Sequence, residues 1–464
     1  MAGDGPAHHR QGDGGAECAP ARPQEEDGGD QLDHPGADAA GGLGPDLGED
    51  VHRLGRAGEL EEQGLHQDQR RQDAQGPAQA GVEEAVRQAH FPPRWATTRT
   101  GFYSDGRLLS LSSSLEFLTF PPIGLLDKAR LAATILHASR VTDWKALEEI
   151  PVTEWLGRWS GARVLERIWL PLLKAKLGEN YRIASAAFIW AIIQRMYAAR
   201  RSGLKKEMMG YLDGGYAVIL DRFQQRLDEL GVETLTGQPV AEVHQAGAGA
   251  TVTFAKGGER AFDHVVLTVP CGRVAKMVPQ LAAAERARLE GVVYQGIACA
   301  SLLLKRPLGP YYVTNITDGW VPFTGVIEMT ALVDRERFGG HSLVYLPLYL
   351  TQDAALWQEA DDVLRERFLA ALERMYPHFR RDDVVHFSVH RVREVLAVST
   401  LRYSAERLPP LRTSLPSVHL VNSAQIAQGT LNVNETVGLA EAQAKALLPL
   451  FAAGRPAAAL AEVA

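Results

Sequence analysis

Apolar positions fall into two regimes along the chain. From Phe91 onward they recur at strand or helix spacing; before it they recur at neither. Residues 100–114, TGFYSDGRLLSLSSS, alternate around Ser104-Asp105-Gly106 and predict a strand, a tight turn and a second strand. Residues 121–140, PPIGLLDKARLAATILHASR, open on proline and then repeat apolar residues at helical intervals. A short helix is expected behind Asp143 as N-cap, and two longer ones over about 162–177 and 184–201. Trp155, Trp159, Trp169 and Trp190 read as the core of this helical layer rather than as a cofactor box.

Near residue 210 the pattern changes. Asp213-Gly214-Gly215 makes a turn, and Leu220, Phe223, Leu227 and Leu230 mark one face of an amphipathic helix that stops at Gly231. Strands are expected at 232–236, 240–244 and 250–255. The run FDHVVLTVP at 262–270 is continuously apolar, as in a strand buried on both faces. More strands are expected within 294–350 (YQGIACASLLL, YYVTN, FTGVIEMTAL, HSLVYLPLYL), then a helix over about 353–376 and a β-rich run at 384–400. The end, VHLVNSAQIAQGTLNVNETVGLAEAQAKALLPLF, reads as strand, glycine loop and a helix starting near 432–434. No period of about 20–50 residues repeats.

Composition narrows the classes. A length of 464 residues suits two or three domains. A net charge of -7 argues against general nucleic-acid binding, which needs a basic patch. Cys18, Cys271 and Cys299 show neither metal-ligand spacing nor an even-numbered framework, so a reducing, cytoplasmic setting is expected. His137, His244, His264, His378, His386 and His390 show no metal spacing either and read as solvated or core. The start lacks a signal pattern, and the most apolar helical stretch, 183–199, carries Gln194 and Arg195. That stretch is also shorter than the ~20 residues of a membrane span, so no transmembrane span is expected. Arg200, Arg201, Lys205 and Lys206 follow a helix end, where cations are favoured. Residues 1–90 contain no Ile, Phe, Tyr, Trp, Lys, Ser, Thr or Asn. That composition fits GC-rich DNA read in a wrong frame better than a natural disordered tail, and it offers too little apolar surface to offset the ordering cost.

Two pieces point to chemistry. The closing strand–loop–helix sets backbone N–H groups at a helix start, where they face an anionic or electron-rich ligand. The segment GGYAVILDRFQQRLDELGVETLTGQPVAEV followed by FDHVVLTVP builds the edge of a nucleotide-binding sheet, whose ligands lie beyond the carboxyl ends of the strands. Together, and in this order, these motifs and LVNSAQIAQGTLNVNETVGLAEAQA resemble the flavin-containing amine oxidoreductases over about 95–450. That family includes amine oxidases, protoporphyrinogen oxidase and carotenoid desaturases.

The resemblance implies an α/β fold: an FAD-binding Rossmann-like domain with an inserted α+β substrate domain. The FAD-binding parts would be 209–272 and 409–452; the substrate domain would comprise helical 94–208 and the sheet and helix of 273–408. Residues 1–93 and 453–464 would lie outside both domains. FAD is the implied cofactor. Val240 matches the valine whose backbone holds the adenine, and Val269 and Pro270 the strand end beside the dinucleotide. Asn422 and Ser423 stand where many members have Gly-Asp at the ribityl-phosphate chain. Leu431, Asn432 and Val433 match the helix start under the flavin. Glu328, Thr330 and Tyr349 are candidates for polar contacts to a small-molecule substrate. No metal is implied, and oligomeric state is not indicated. The implied reaction takes a hydride from a C–N or C–C bond of a mostly apolar substrate. The alternatives are a flavin-dependent mutase or isomerase of the same fold, and a non-catalytic chain.

One departure is severe. The family opens with a strand and a GxGxxG turn that cradles the pyrophosphate. GGLGPDLG at 41–48 has glycines but no apolar strand before it and no amphipathic helix after it, so the FAD-binding domain reads as incomplete at its amino-terminal side. The 464-residue product is therefore expected to purify without bound flavin; flavin absorbance that elutes with it in gel filtration would overturn this.

Overall fold

The computed structural model describes residues 94–111, 116, 119–200 and 208–453. The GGLGPDLG stretch, Cys18, Arg201, Lys205, Lys206 and the last eleven residues of the sequence, 454–464, lie outside the described residues.

Alternating segments build one seven-stranded sheet. Its strands are β2 (Thr100–Ser104), β3 (Arg107–Ser110), β9 (Tyr294–Leu304), β10 (Val313–Ile316), β11 (Gly325–Glu328), β12 (Ser342–Leu350) and β13 (Val384–Ala397), in the order β13-β9-β12-β11-β10-β2-β3. All neighbours are antiparallel except β10 and β2. Two smaller strands, β1 (Arg94–Thr97) and β4 (Met208–Tyr211), pair with each other. The β2–β3 turn puts Asp105 at φ 52 and Gly106 at φ 71, the left-handed conformation expected of Ser-Asp-Gly.

Each face of the sheet meets a different layer. Helix α9 (Asp361–Met375) covers one face, and its Leu364, Phe368, Leu369 and Leu372 are buried against Leu302, Leu304, Val344 and Leu346. On the other face, β2 contributes Phe102 to a helical layer. This layer comprises α1 (Leu125–Arg140), α2 (Trp144–Leu147), α3 (Val152–Ser160), α4 (Leu170–Leu177) and α5 (Ala186–Arg200). A π-helical turn at Leu165–Trp169 leads into α4, and the buried Ser160 hydroxyl accepts from Trp169 Nε1 at 2.9 Å. Trp155 and Trp169 are core, as expected, and Trp190 is partly buried against the same cluster. Trp159 is not core: it is 38% exposed and stacks on His137.

The remaining strands form two sheets around a third core. Strands β5 (Val240–Ala246), β6 (Gly249–Phe254) and β7 (Glu259–Phe262) make a meander, while β8 (Val265–Leu267) pairs in parallel with β14 (Val418–Leu420). Val243, Val252, Leu267, Val418 and Leu420 pack with Val274 of α7 (Cys271–Met277) and Leu289 of α8 (Ala283–Glu290). The single strand expected over 262–270 is two, because the polar pair Asp263-His264 interrupts the run between β7 and β8.

Helix α6 (Gly215–Glu229) forms as its apolar spacing predicts, yet none of its residues is buried. Tyr216, Leu220, Phe223 and, just beyond the helix, Leu230 are all more than 60% exposed. The strand expected at 232–236 is irregular instead: Val232 and Leu235 are exposed, no neighbouring strand pairs with them among the described residues, and Gly237 and Pro239 close the segment. These observations separate two kinds of apolar position. Phe368→Ala is expected to cost about 3–5 kcal/mol in urea unfolding, since a ring fully enclosed under the sheet leaves a cavity. Phe223→Ser on the exposed stripe is expected to stay within about 0.5 kcal/mol of the parent; a large loss there would show the stripe to be covered.

Candidate flavin and substrate site

The parallel pair β8–β14 is the platform of the site. Val418, His419 and Leu420 stand opposite Val265, Val266 and Leu267, so both strands end at the same edge. Val265 N–H donates to the Ser417 carbonyl and Val421 N–H to the Leu267 carbonyl. Beyond that edge, Asn422 ties the two chain segments together. Its Nδ2 donates to the Val269 carbonyl at 2.8 Å, and its Oδ1 accepts from the Ala424 amide at 3.0 Å. Gln425 closes the turn by accepting from the Asn422 amide. Tyr294 OH accepts from the Cys271 amide at 3.1 Å, and Tyr403 donates to the Ala424 carbonyl at 2.6 Å. Burial pushes the Cys271 thiol and the Tyr294 and Tyr403 phenols up, so all three stay protonated and act as neutral structural groups.

Helix α10 (Val433–Ala453) starts where the glycine loop ends. Asn432 caps it: Oδ1 accepts from the Glu435 amide at 3.1 Å and the main-chain carbonyl from Thr436. The amides of Val433 and Asn434 precede any helical acceptor and remain available to a ligand. Leu431, Asn432 and Val433 thus lie together at a helix start, as sequence places them. Val240 is half-buried in β5 and packs on the same core as Val265 and Val269. Pro270 is the N-cap of α7. A cleft of about 670 Å³ opens beside the loop, lined by Trp144, Glu148, Ser404, Gln425, Gly429 and Glu435. Glu148 is buried and accepts from both the amide and the hydroxyl of Ser404, holding the helical layer to the segment before β14. No sequence signal distinguishes this carboxylate from the exposed acids around it in DWKALEEI.

These residues fit one end of a flavin dinucleotide. The carboxyl ends of two parallel strands and a capped helix start with free amides suit the electron-rich edge of the ring and the chain attached to it. Asn422 has spent its side chain on the protein, so only backbone and Ser423 are left to meet a ligand there. For the pyrophosphate end the described residues offer no comparable seat. Among the described residues, neither strand of the parallel pair runs through a glycine turn straight into a helix.

The face of the large sheet opposite α9 is the second half of the site. Register sorts its residues. Tyr345 lies beside Ser301 and Ile327, and Tyr349 beside Ile297, which in turn lies beside Val392. Tyr349 OH accepts from Lys176 Nζ at 2.7 Å. Burial raises the Tyr312 and Tyr345 phenols, with Tyr216 and Tyr345 adding to the shift at Tyr312 and Cys299 to that at Tyr345. Of the three substrate candidates, only Tyr349 stands on this face. Glu328 shares a row with Val344, on the α9 side, and its carboxylate accepts from the Leu308 and Gly309 amides. Thr330 lies in a 3-10 turn after β11, with Oγ1 accepting from the Leu343 amide. Both side chains make hydrogen bonds within the protein.

A parallel strand pair with a capped helix at its carboxyl edge, together with a large mixed sheet under a helical layer, places the chain in the α/β class. The chain belongs to the flavin containing amine oxidoreductase family, whose sequence model matches residues 82–436. FAD is the cofactor that membership brings. A coproporphyrinogen III oxidase of Mycobacterium tuberculosis is 26% identical over 191 residues, 39% of this chain and 41% of that protein. The chain therefore matches about two-fifths of the length of the curated relatives it resembles. Among solved structures, an oxidoreductase from Methanosarcina mazei superposes with a TM-score of 0.58 at 14% identity, covering 77% of this chain and 83% of that one. A putrescine oxidase with putrescine bound gives 0.59 at 15%, covering 80% and 86%. At such identities the two structures show a shared fold. No helix among the described residues is long and apolar enough to cross a membrane, and no group of three or more His, Cys, Asp or Glu among them could hold a metal.

Glu328 offers a test of the register. Desolvation raises its pKa from 4.5 to about 7, against the opposing pull of the Gly309 and Leu308 amides and of Arg335. A carboxyl raised on folding holds its proton more tightly in the folded state. Its contribution to stability is therefore complete below about 4.5 and is lost as pH rises through about 7. The loss is up to roughly 3 kcal/mol. Glu328→Gln keeps an acceptor for the two amides and is expected to remove this slope. Urea unfolding across the interval checks it, and parallel pH profiles for parent and variant would place Glu328 in water instead.

Proposed function

We propose that the chain is built as an FAD-dependent oxidoreductase that takes a hydride from a C–N or C–C bond of a mostly apolar small molecule. The observation that carries this reading is the meeting of the β8 and β14 carboxyl ends with the start of α10. FAD, when bound there, supplies the two-electron acceptor. The protein's own part is positional. The Val433 and Asn434 amides face negative charge, and Asn422 keeps the strand ends in register. Tyr345, Tyr349, Ile297 and Ile327 present a half-buried wall that holds an apolar substrate and excludes water. The substrate gives up a hydride and a proton and leaves with a new C=N or C=C bond. No protein nucleophile is required, in keeping with the buried, protonated state of Cys271. Coproporphyrinogen III, named in the mycobacterial relative, and putrescine, bound in the oxidase structure, are the two substrates this family context brings forward.

The test is anaerobic spectroscopy of the full chain with FAD added until thermal stabilisation saturates. One of the two substrates is expected to bleach the flavin absorbance without oxygen. Turnover of a test compound that needs pre-reduced flavin and consumes no acceptor would instead make the chain a mutase, and saturation without bleaching by any oxidisable compound would remove the redox reading.

A further inference from the structure

Resting on the reading of the sheet face toward the helical layer as the substrate wall, we propose that Lys176 makes this a site for ring compounds bearing a carboxylate and sets it against free amines. Lys176 lies in the last turn of α4, with its Nζ 2.7 Å from the Tyr349 hydroxyl and 4.4 Å from the centre of the same ring. One tyrosine thus fixes the ammonium at the wall by two contacts. Among the described residues Lys176 forms no ion pair. The Tyr349 oxygen accepts from the lysine, so its own O–H is left to donate. The pair therefore offers two donors and a full positive charge to one anionic group, the arrangement that gives charge-assisted hydrogen bonds.

Nothing on the same face of the neighbouring strands cancels that charge. Ile297, Cys299, Ser301, Tyr345 and Pro347 are uncharged, and burial holds the Cys299 thiol protonated. Further out in β13, His390 stands beside Cys299 on this face, and Glu394, two residues beyond Val392, is paired with Arg273. Glu328 is turned to the α9 face and bound to two amides. Bare tyrosine rings would welcome an ammonium ion through their π faces. Here one ring already carries a cation, and a substrate ammonium would meet like charge. The flat, half-buried Tyr345 and Ile297 surface next to it suits the ring that carries the carboxylate.

Fluorescence anisotropy of the full chain with three pyrene probes tests this: 1-pyrenebutyrate, 1-pyrenebutanol and 1-pyrenemethylammonium. The butyrate is expected to bind about tenfold more tightly than the alcohol, and the ammonium most weakly. Lys176→Met should abolish that preference while leaving the alcohol's affinity unchanged, and Lys176→Arg should restore part of it. Lys176 is exposed, and circular dichroism is expected to show both variants folded. Equal binding of the three probes by the parent chain, no binding of any, or a preference that survives Lys176→Met would overturn the proposal. The readout involves no flavin, so a failure of flavin bleaching leaves it standing, and its own failure leaves the redox reading standing.

Discussion

The pairing of β14 with β8 is the contact on which the candidate site depends. The two strands come from distant parts of the sequence, with the large sheet and α9 between them, and parallel pairing needs such a crossover. Their junction is reinforced where it matters. Asn422 bridges to Val269 beyond the strand ends, and Tyr403 and Tyr294 hold the turns on either side. Without this junction, α10 would have no reason to begin at the carboxyl edge, and the free amides of its first turn would face no shared surface.

The same pairing leaves a demand unmet among the described residues. Val265 N–H and the Leu267 carbonyl are used by β14, so by alternation the amide and carbonyl of Val266 point to the other edge. Val266 is 39% exposed, and parallel sheets are ordinarily covered on both faces and extended beyond two strands. Helix α6 repeats the theme with an apolar stripe that buries nothing. Among the described residues the core around β8 and β14 is thus smaller than the two cores that flank the large sheet.

Much of the fold was legible because local periodicity and local chemistry agree with the packing. The β2–β3 hairpin, the α6 and α10 spacings and the strands β9, β12 and β13 all read directly from alternation or helical repeat. The family resemblance rests on the order of three motifs, and the family match covers the first two and the third as far as residue 436. What escaped was set by partners distant in sequence. Residues 232–236 have strand composition but, among the described residues, no strand to pair with. Trp159 has core composition but lies on the outer side of α3 against His137. Glu148 and Ser404 are held together across the fold by a contact that neither segment announces. Asn422 is expected at the cofactor from the motif, and in the structure its side chain joins the strand ends. The position is legible from the motif, but which partner an amide chooses is not.

The substrate face shows most directly how register decides chemistry. Glu328 and Tyr349 are both polar residues at the carboxyl ends of neighbouring strands, and from sequence they are equivalent candidates. Side chains alternate with a period of two, so a one-residue change in register exchanges the faces. Pairing of Glu328 with Val344, rather than with Tyr345, sends the carboxyl under α9, where desolvation raises its pKa to about 7, and leaves tyrosines above. Lys176 of α4 then brings a positive charge to this face from another layer. A shift of β11 by one residue would put a carboxylate beside Tyr345 and reverse the sign of the wall. The sign of this surface is therefore a property of strand pairing, not of the composition of either strand.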